Sequence, residues 1–133
     1  MASQCSFDYN LCTIDDFRGK KITKIEFLKN GENILRIDIF FEPDKIIYLE
    51  ACADCCNSVY FKTFETKYWI DESIENIEFE KAEDKSDDQQ NGWYIVYNQF
   101  KIIFTSGEHR NLCLVNESNG YYAGALVIRK SWK

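Results

Sequence analysis

The sequence predicts a mainly β domain of α+β type: an antiparallel sheet of about seven short strands, with one short helix after the third. Three observations carry this. Runs of alternating apolar residues recur along the chain, and turn dipeptides such as Asn30-Gly31 and Asn119-Gly120 separate them. Only one proline, Pro43, interrupts the pattern. The chain has 133 residues, 45% of them hydrophobic and 16% aromatic, which is enough apolar material to bury one core.

Residues 1–20 read as an N-terminal extension and residues 21–130 as a β-rich core of one domain. Ile22 to Leu28 alternates and gives a first strand. Ile34 to Phe41 gives a second, with Leu35, Ile37, Ile39 and Phe41 on one side and Arg36 and Asp38 on the other. Asn30-Gly31 between them predicts a tight hairpin. Glu42-Pro43-Asp44 forms a turn before a third strand, Lys45 to Ala51. Asp54 then suits the N-cap of a short helix from Cys55 to Phe64, although Val59, Tyr60 and Phe61 are strand formers.

Ile70 to Ala82 reads as extended, and the polar run from Glu83 to Gly92 as a loop. The last third is strand after strand. Trp93 to Gln99, Lys101 to Thr105, Leu112 to Asn116 and Tyr121 to Arg129 are divided by turns at Ser106-Gly107 and Ser118-Asn119-Gly120. No internal repeat is present.

Charge excludes some functions. The chain carries 22 acidic and 16 basic residues, a net charge of −6, which disfavours general nucleic-acid binding because phosphate neutralisation dominates that affinity. No apolar run approaches the roughly 18 residues of a membrane span. The start, Met1 to Cys5, has neither a basic nor an apolar signal region, so an intracellular or virion protein is expected and not a secreted one. Its six cysteines are then expected as thiols or metal ligands. Lysine outnumbers arginine 12 to 4 and isoleucine is abundant, the bias of an AT-rich genome.

Cysteine chemistry supplies the sharpest candidates. Cys52 and Cys55 have zinc-ligand spacing, and His109 with Cys113 would complete a tetrahedral set of three thiolates and one imidazole. Against zinc, the two halves lie far apart in the chain and Cys113 falls inside a strand. Buried free cysteine also behaves as a small hydrophobe. A redox thiol at Cys55 or Cys56 would gain from a helix N-terminus, but Asp54 would raise its pKa and the βαβ setting is missing. A cysteine nucleophile would need His109, the one histidine, which sits in the polar turn from Ser106 to Arg110. No phosphate loop or hydrolase motif occurs, so the balance leans away from an enzyme. Trp69, Trp93, Tyr94, Tyr97, Tyr121 and Tyr122 offer either a stacking platform or core packing.

Two motifs carry a resemblance. Asp54-Cys55-Cys56-Asn57-Ser58-Val59 near the middle and Ser118-Asn119-Gly120-Tyr121-Tyr122 near the end resemble the D-C-C-x-S-V and S-N-G-Y-Y segments of a small uncharacterised domain family of phages and large DNA viruses. The resemblance runs from about Ile22 to Ile128. Cys5, Cys12, Cys52 and Cys113 are additional to it. It implies fold and viral origin, and brings neither activity nor cofactor. Asp54, Cys55, Cys56, Ser58, Ser118, Asn119, Gly120, Tyr121 and Tyr122 are therefore the expected binding surface, with any pocket where the Cys52–Ser58 segment meets the Ser118–Tyr122 turn. The expectation is a non-enzymatic accessory protein. It would bind a host protein, a further copy of itself or a small molecule, with no cofactor, nucleic acid or membrane. A zinc-stabilised domain on Cys52, Cys55, His109 and Cys113 is the alternative.

Overall fold

The computed structural model describes residues 12–53, 58–84, 94–118 and 125–132. Within them lie a turn of 3₁₀ helix (Ile14–Asp16) and eight strands. These are β1 (Ile22–Asn30), β2 (Asn33–Phe41), β3 (Lys45–Cys52), β4 (Ser58–Phe61), β5 (Ile74–Asp84), β6 (Tyr94–Phe104), β7 (His109–Ser118) and β8 (Ala125–Lys130). They form one antiparallel sheet, ordered β5-β6-β7-β4-β2-β3-β8, with β1 on the other edge of β2.

The mainly β architecture matches the sequence, and the helix after the third strand does not. Ser58–Phe61 is a strand, in which Val59 and Phe61 are buried and Tyr60 faces outward. That two-residue alternation suits β-branched and aromatic side chains on a pleated surface. Residues 62–66 are irregular, and residues 55–57 of the expected helix lie outside the described ones. Among the described residues the only helical element is the 3₁₀ turn, so the α+β expectation is replaced by mainly β. The two strands expected from Trp93 to Thr105 are one, β6, paired along its length with both β5 and β7.

The β1–β2 hairpin forms as expected, with its turn shifted by one residue. Asn30 pairs with Asn33, leaving Gly31 and Glu32 at the centre. Gly31 takes φ +64° with nothing crowding a would-be Cβ, so conformation and not space favours glycine there. A second departure follows inside β2. Leu28 pairs with Arg36 and Lys29 with Ile34, so Leu35 has no partner on β1. This bulge resets the alternation: Ile34, Ile37, Ile39 and Phe41 are buried, and Leu35 leaves the expected inward set.

The bulge sits where β2 changes partner. From Phe41 to Arg36, β2 pairs with β3; at Ile34 it pairs with Phe61 of β4. The sheet therefore splits. One branch continues through β4, β7 and β6 to β5, and a bridge between Lys21 and Ser73 returns it to the start of β1. Ile22 N–H donates to Glu72 O at 2.8 Å and Asp71 N–H to Ile22 O at 2.8 Å, which reinforces this closure. The other branch is β3 and β8.

Both branches bury one core. It includes Ile34, Ile37, Ile39, Phe41, Ile47, Leu49, Phe61, Ile74, Ile102, Leu112 and Leu114. A run of rings crosses it: Phe27 to Phe64 at 5.3 Å, Phe64 to Trp69 at 5.1 Å and Trp69 to Phe104 at 5.7 Å between centroids. Trp69 is fully buried, so it is core and not a stacking platform. Large aromatic areas of this kind dominate core energetics, at about 1.5–3 kcal/mol for each fully buried large apolar side chain.

Cys12 to Lys20 is not a free extension. Cys12 N–H donates to Ile128 O, and Phe17 is fully buried against Phe41 with centroids 5.6 Å apart. Asp16 Oδ2 accepts from Thr13 N–H at 2.8 Å, while Asp16 Oδ1 accepts from Lys130 Nζ at 2.9 Å. The hydrogen bonds from Lys130 and Thr13 hold the Asp16 carboxyl below its ordinary pKa. This pins the segment to the end of β8.

Two outcomes test this packing. Phe17→Ala should cost about 3–5 kcal/mol in denaturant unfolding, the usual range for a buried phenylalanine. Asp16→Asn should destabilise at neutral pH. A depressed carboxyl stabilises above its unfolded pKa and loses that contribution as pH falls through the folded value. Urea curves of Asp16→Asn and wild type should therefore converge once the pH drops below the ordinary carboxylate range.

Candidate functional site

Register brings the described ends of the two motif-bearing segments onto shared rungs. Cys52 pairs with Ala125, and Ser58 pairs with Glu117. The chain from Cys52 to Ser58 leads from the first of these rungs to the second. The chain from Glu117 to Ala125 leads back from the second to the first. Both motifs therefore span the same two rungs, in opposite directions, where the sheet splits. Asp54, Cys55, Cys56, Asn119, Gly120, Tyr121 and Tyr122 lie outside the described residues; Ser58 is exposed and Ser118 is buried at the end of β7.

The face beside these rungs is built from β4, β7 and β6. In β7, Leu112 and Leu114 point into the core, so Cys113, Val115 and Glu117 point outward. Tyr60, Val115 and Tyr97 then form one row across the three strands, because Val115 pairs with both tyrosines. Val115 is only 1% exposed although it faces away from the core. Two half-buried tyrosines flank it on the adjoining strands.

Both tyrosines are held in place. Tyr60 Oη donates to Glu117 Oε2 at 2.6 Å, a short bond to a charged acceptor. Burial, and then the Glu117 hydrogen bond and charge, push the Tyr60 phenol well above its ordinary value. The Lys62 ammonium lies over the Tyr97 ring, 4.6 Å from its centroid. In the next row, Cys113 pairs with Gln99, whose Nε2 donates to Glu83 Oε1 at 3.0 Å. The result is an amphipathic surface with two phenols, two carboxylates, an ammonium and an amide.

A second outward cluster lies on the β2–β3–β8 branch. Arg36 bonds Asp38 through Nε at 2.7 Å and Nη2 at 3.2 Å, and Arg129 pairs with Glu50. Both guanidinium groups lie over the Tyr48 ring, at 5.0 and 5.9 Å. The Asp38 hydrogen bond raises the Arg36 pKa against the opposing effect of burial. Two arginines each matched by a carboxylate leave this cluster neutral, and its form is that of a packed ionic layer.

The other sequence candidates are dispersed. His109 and Cys113 lie four positions apart in β7, which at strand rise is about 13 Å, too far for one metal or one proton transfer. Cys52 is disulfide-bonded, with its partner outside the described residues; it is not a free thiol, and a sulfur so engaged does not ligate as a thiolate. Cys55 also lies outside them. Among the described residues, no three His, Cys, Asp or Glu side chains group closely enough to hold a metal ion. Cys12 is a free thiol pushed up to about 12, by burial first and then by Asp16, against the opposing Lys130 charge. Tyr94 and Tyr97 have opposite parity in β6 and so share no platform. Sequence reading missed the Tyr60–Glu117 pair, whose members are 57 positions apart; the alternation within β7 was the one available hint.

Comparison with known proteins matches residues 8–128 to the family described as Domain of unknown function (DUF7448). Uncharacterized protein L278 of Acanthamoeba polyphaga mimivirus is 33% identical over 114 residues, covering 81% of this chain and 88% of its own length. No solved structure matches the chain.

Tyr60→Phe isolates the phenol. Its loss should cost about 1–3 kcal/mol at neutral pH, the range for a hydrogen bond to a charged group. A phenol with a raised folded pKa stabilises below its unfolded value, near 10, and loses that contribution as pH rises through the folded value. Denaturant curves should therefore show a weaker alkaline loss of stability in Tyr60→Phe than in wild type above about pH 10.

Proposed function

The chain belongs to the family Domain of unknown function (DUF7448), and on that premise we propose that it is a non-enzymatic accessory protein of viral or prophage type that acts by binding. The observation that carries this reading is the Tyr60–Val115–Tyr97 row on the outer face of β4, β7 and β6. Tyrosine offers a large apolar area with a polar tip and is enriched at the centres of protein interfaces. Glu117 and Lys62 fix the two rings in advance, so a partner meets a surface that loses little side-chain entropy on binding. The partner is a host protein or a further copy of this chain, met inside the infected cell or in the virion. Of the motif residues, Ser58 and Ser118 lie at the ends of β4 and β7, at the margin of this face.

Affinity capture from host lysate tests the reading, with Tyr60→Ala and Tyr97→Ala beside wild type. Wild type should retain a defined partner or form a defined oligomer in native mass spectrometry. The variants should lose that retention by about tenfold or more while keeping the wild-type circular dichroism spectrum, as expected for interface anchors. A wild-type protein that remains a bare monomer and captures nothing would end the proposal.

A further inference from the structure

Between Asp71 and Asp84 the sequence places seven carboxylates and one lysine, a balance of −6 that equals the net charge of the whole chain. The rest of the molecule is neutral. Five of the seven carboxylates and the lysine lie on β5, which pairs with β6 and is the last strand of its branch. After Ser73 closes the bridge to Lys21, no described strand pairs with the other edge of β5. In its middle sits Phe79, 57% exposed and edge-to-face with Phe100 at 5.5 Å between centroids.

We infer that the open edge of β5 receives an extended, basic segment of a partner protein, which adds as a further antiparallel or parallel strand with alternating cationic and apolar residues. The alternation follows from β5 itself. Ile77 and Phe79 face the core side, opposite Ile102 and Phe100, while Glu78 faces outward opposite Lys101. A strand laid alongside would set apolar side chains by Ile77 and Phe79, and lysine or arginine by Glu78. The carboxylates are available for exchange. Glu78 is exposed and accepts from Asn76 Nδ2 at 2.9 Å, and Glu80 pairs with Lys101 at 3.3 Å. Surface pairs of this kind are worth at most about 1 kcal/mol, so a cationic partner displaces them readily.

A second copy of the chain fits poorly. Two β5 edges side by side would set carboxylates against carboxylates, and like charges directly opposite are destabilising. The edge also carries bulges beside Glu75 and Glu80, Arg18 Nε donates to Glu75 O, and Asn76 Oδ1 accepts from Ile77 N–H. These devices discourage indiscriminate pairing. They leave Asn76 to Phe79 in regular register with Ile103 to Phe100. The edge thus rejects its own kind and selects for positive charge.

This inference rests on the binding reading above and names a separate surface for it. The test is fluorescence polarisation with a labelled eight-residue peptide of alternating lysine and valine. Two modified peptides accompany it, one N-methylated at every valine and one at every lysine. Strand addition uses alternate backbone N–H groups, so one methylated peptide should lose binding by about tenfold or more and the other should keep it. Glu78→Lys with Glu80→Lys should cost about tenfold or more, Glu78→Gln with Glu80→Gln less, and affinity should fall as salt rises from roughly 50 to 500 mM. Equal binding by all three peptides would reduce the effect to diffuse charge and overturn the proposal. So would unchanged binding by the charge variants, absence of peptide binding, or a native dimer broken by the charge reversal. Tyr60→Ala measured in parallel separates the two surfaces. If it loses partner capture but binds the peptide normally, both readings are supported and the two surfaces act separately; if the peptide fails while capture still depends on Tyr60, only the edge inference falls.

Discussion

Everything in this fold depends on β2 serving two partners along one edge. Its C-terminal part pairs with β3, and its first turn of chain, at Ile34, pairs with β4. The unpaired Leu35 makes this feasible, because one extra residue bends the strand and increases its local twist. Without it, Ile34 would face away from the core and the β4 branch would have no apolar rung to join. The split in turn creates the two rungs, Cys52 with Ala125 and Ser58 with Glu117, that bound both motif-bearing segments.

The two outward clusters show how the same fold makes surfaces of different character. On the β2–β3–β8 branch, arginine and carboxylate are balanced around Tyr48, which neutralises the layer. On the β4–β7–β6 branch, a buried valine lies between two tyrosines fixed by one carboxylate and one ammonium. The second arrangement sets two half-buried rings beside the rungs that bound the motif-bearing segments. The acid concentration on β5 adds a third character, and Glu83 touches both, since it pairs with Tyr97 in the ladder and accepts from Gln99.

Local patterns made much of the fold legible. The β1–β2–β3 meander follows from alternation and from two turn signals, each acting within a few residues. What escaped was set at long range. Val59, Tyr60 and Phe61 have strand propensity, yet the choice of strand over helix was made by β7, more than fifty positions away. The register shift at Leu35 has no local mark either, because leucine is a sound core residue and only the partner strand reveals the bulge. Phe17 looked like part of a tail, and it is Phe41 and Lys130 that hold its segment down. For the site, the motif residues were visible as motifs, but neither the shared rungs nor the Tyr60–Glu117 bond could be read before the ladder was known.

The closing order of the ladder also bears on how the chain is made. β1, β2 and β3 can pair as soon as they leave the ribosome, but Ile47 and Leu49 then present a bare flank. β8, which covers that flank by pairing Ile128 with Leu49, is synthesised after the other seven described strands. The 3₁₀ segment near the start gains its ion pair when Lys130 arrives, 114 positions after Asp16. Folding dominated by such distant pairings is slow, of the order of milliseconds to seconds, and leaves strand edges uncovered meanwhile. A nascent chain stalled before Ala125 would therefore carry an exposed apolar sheet, and a chaperone should recognise it until β8 emerges.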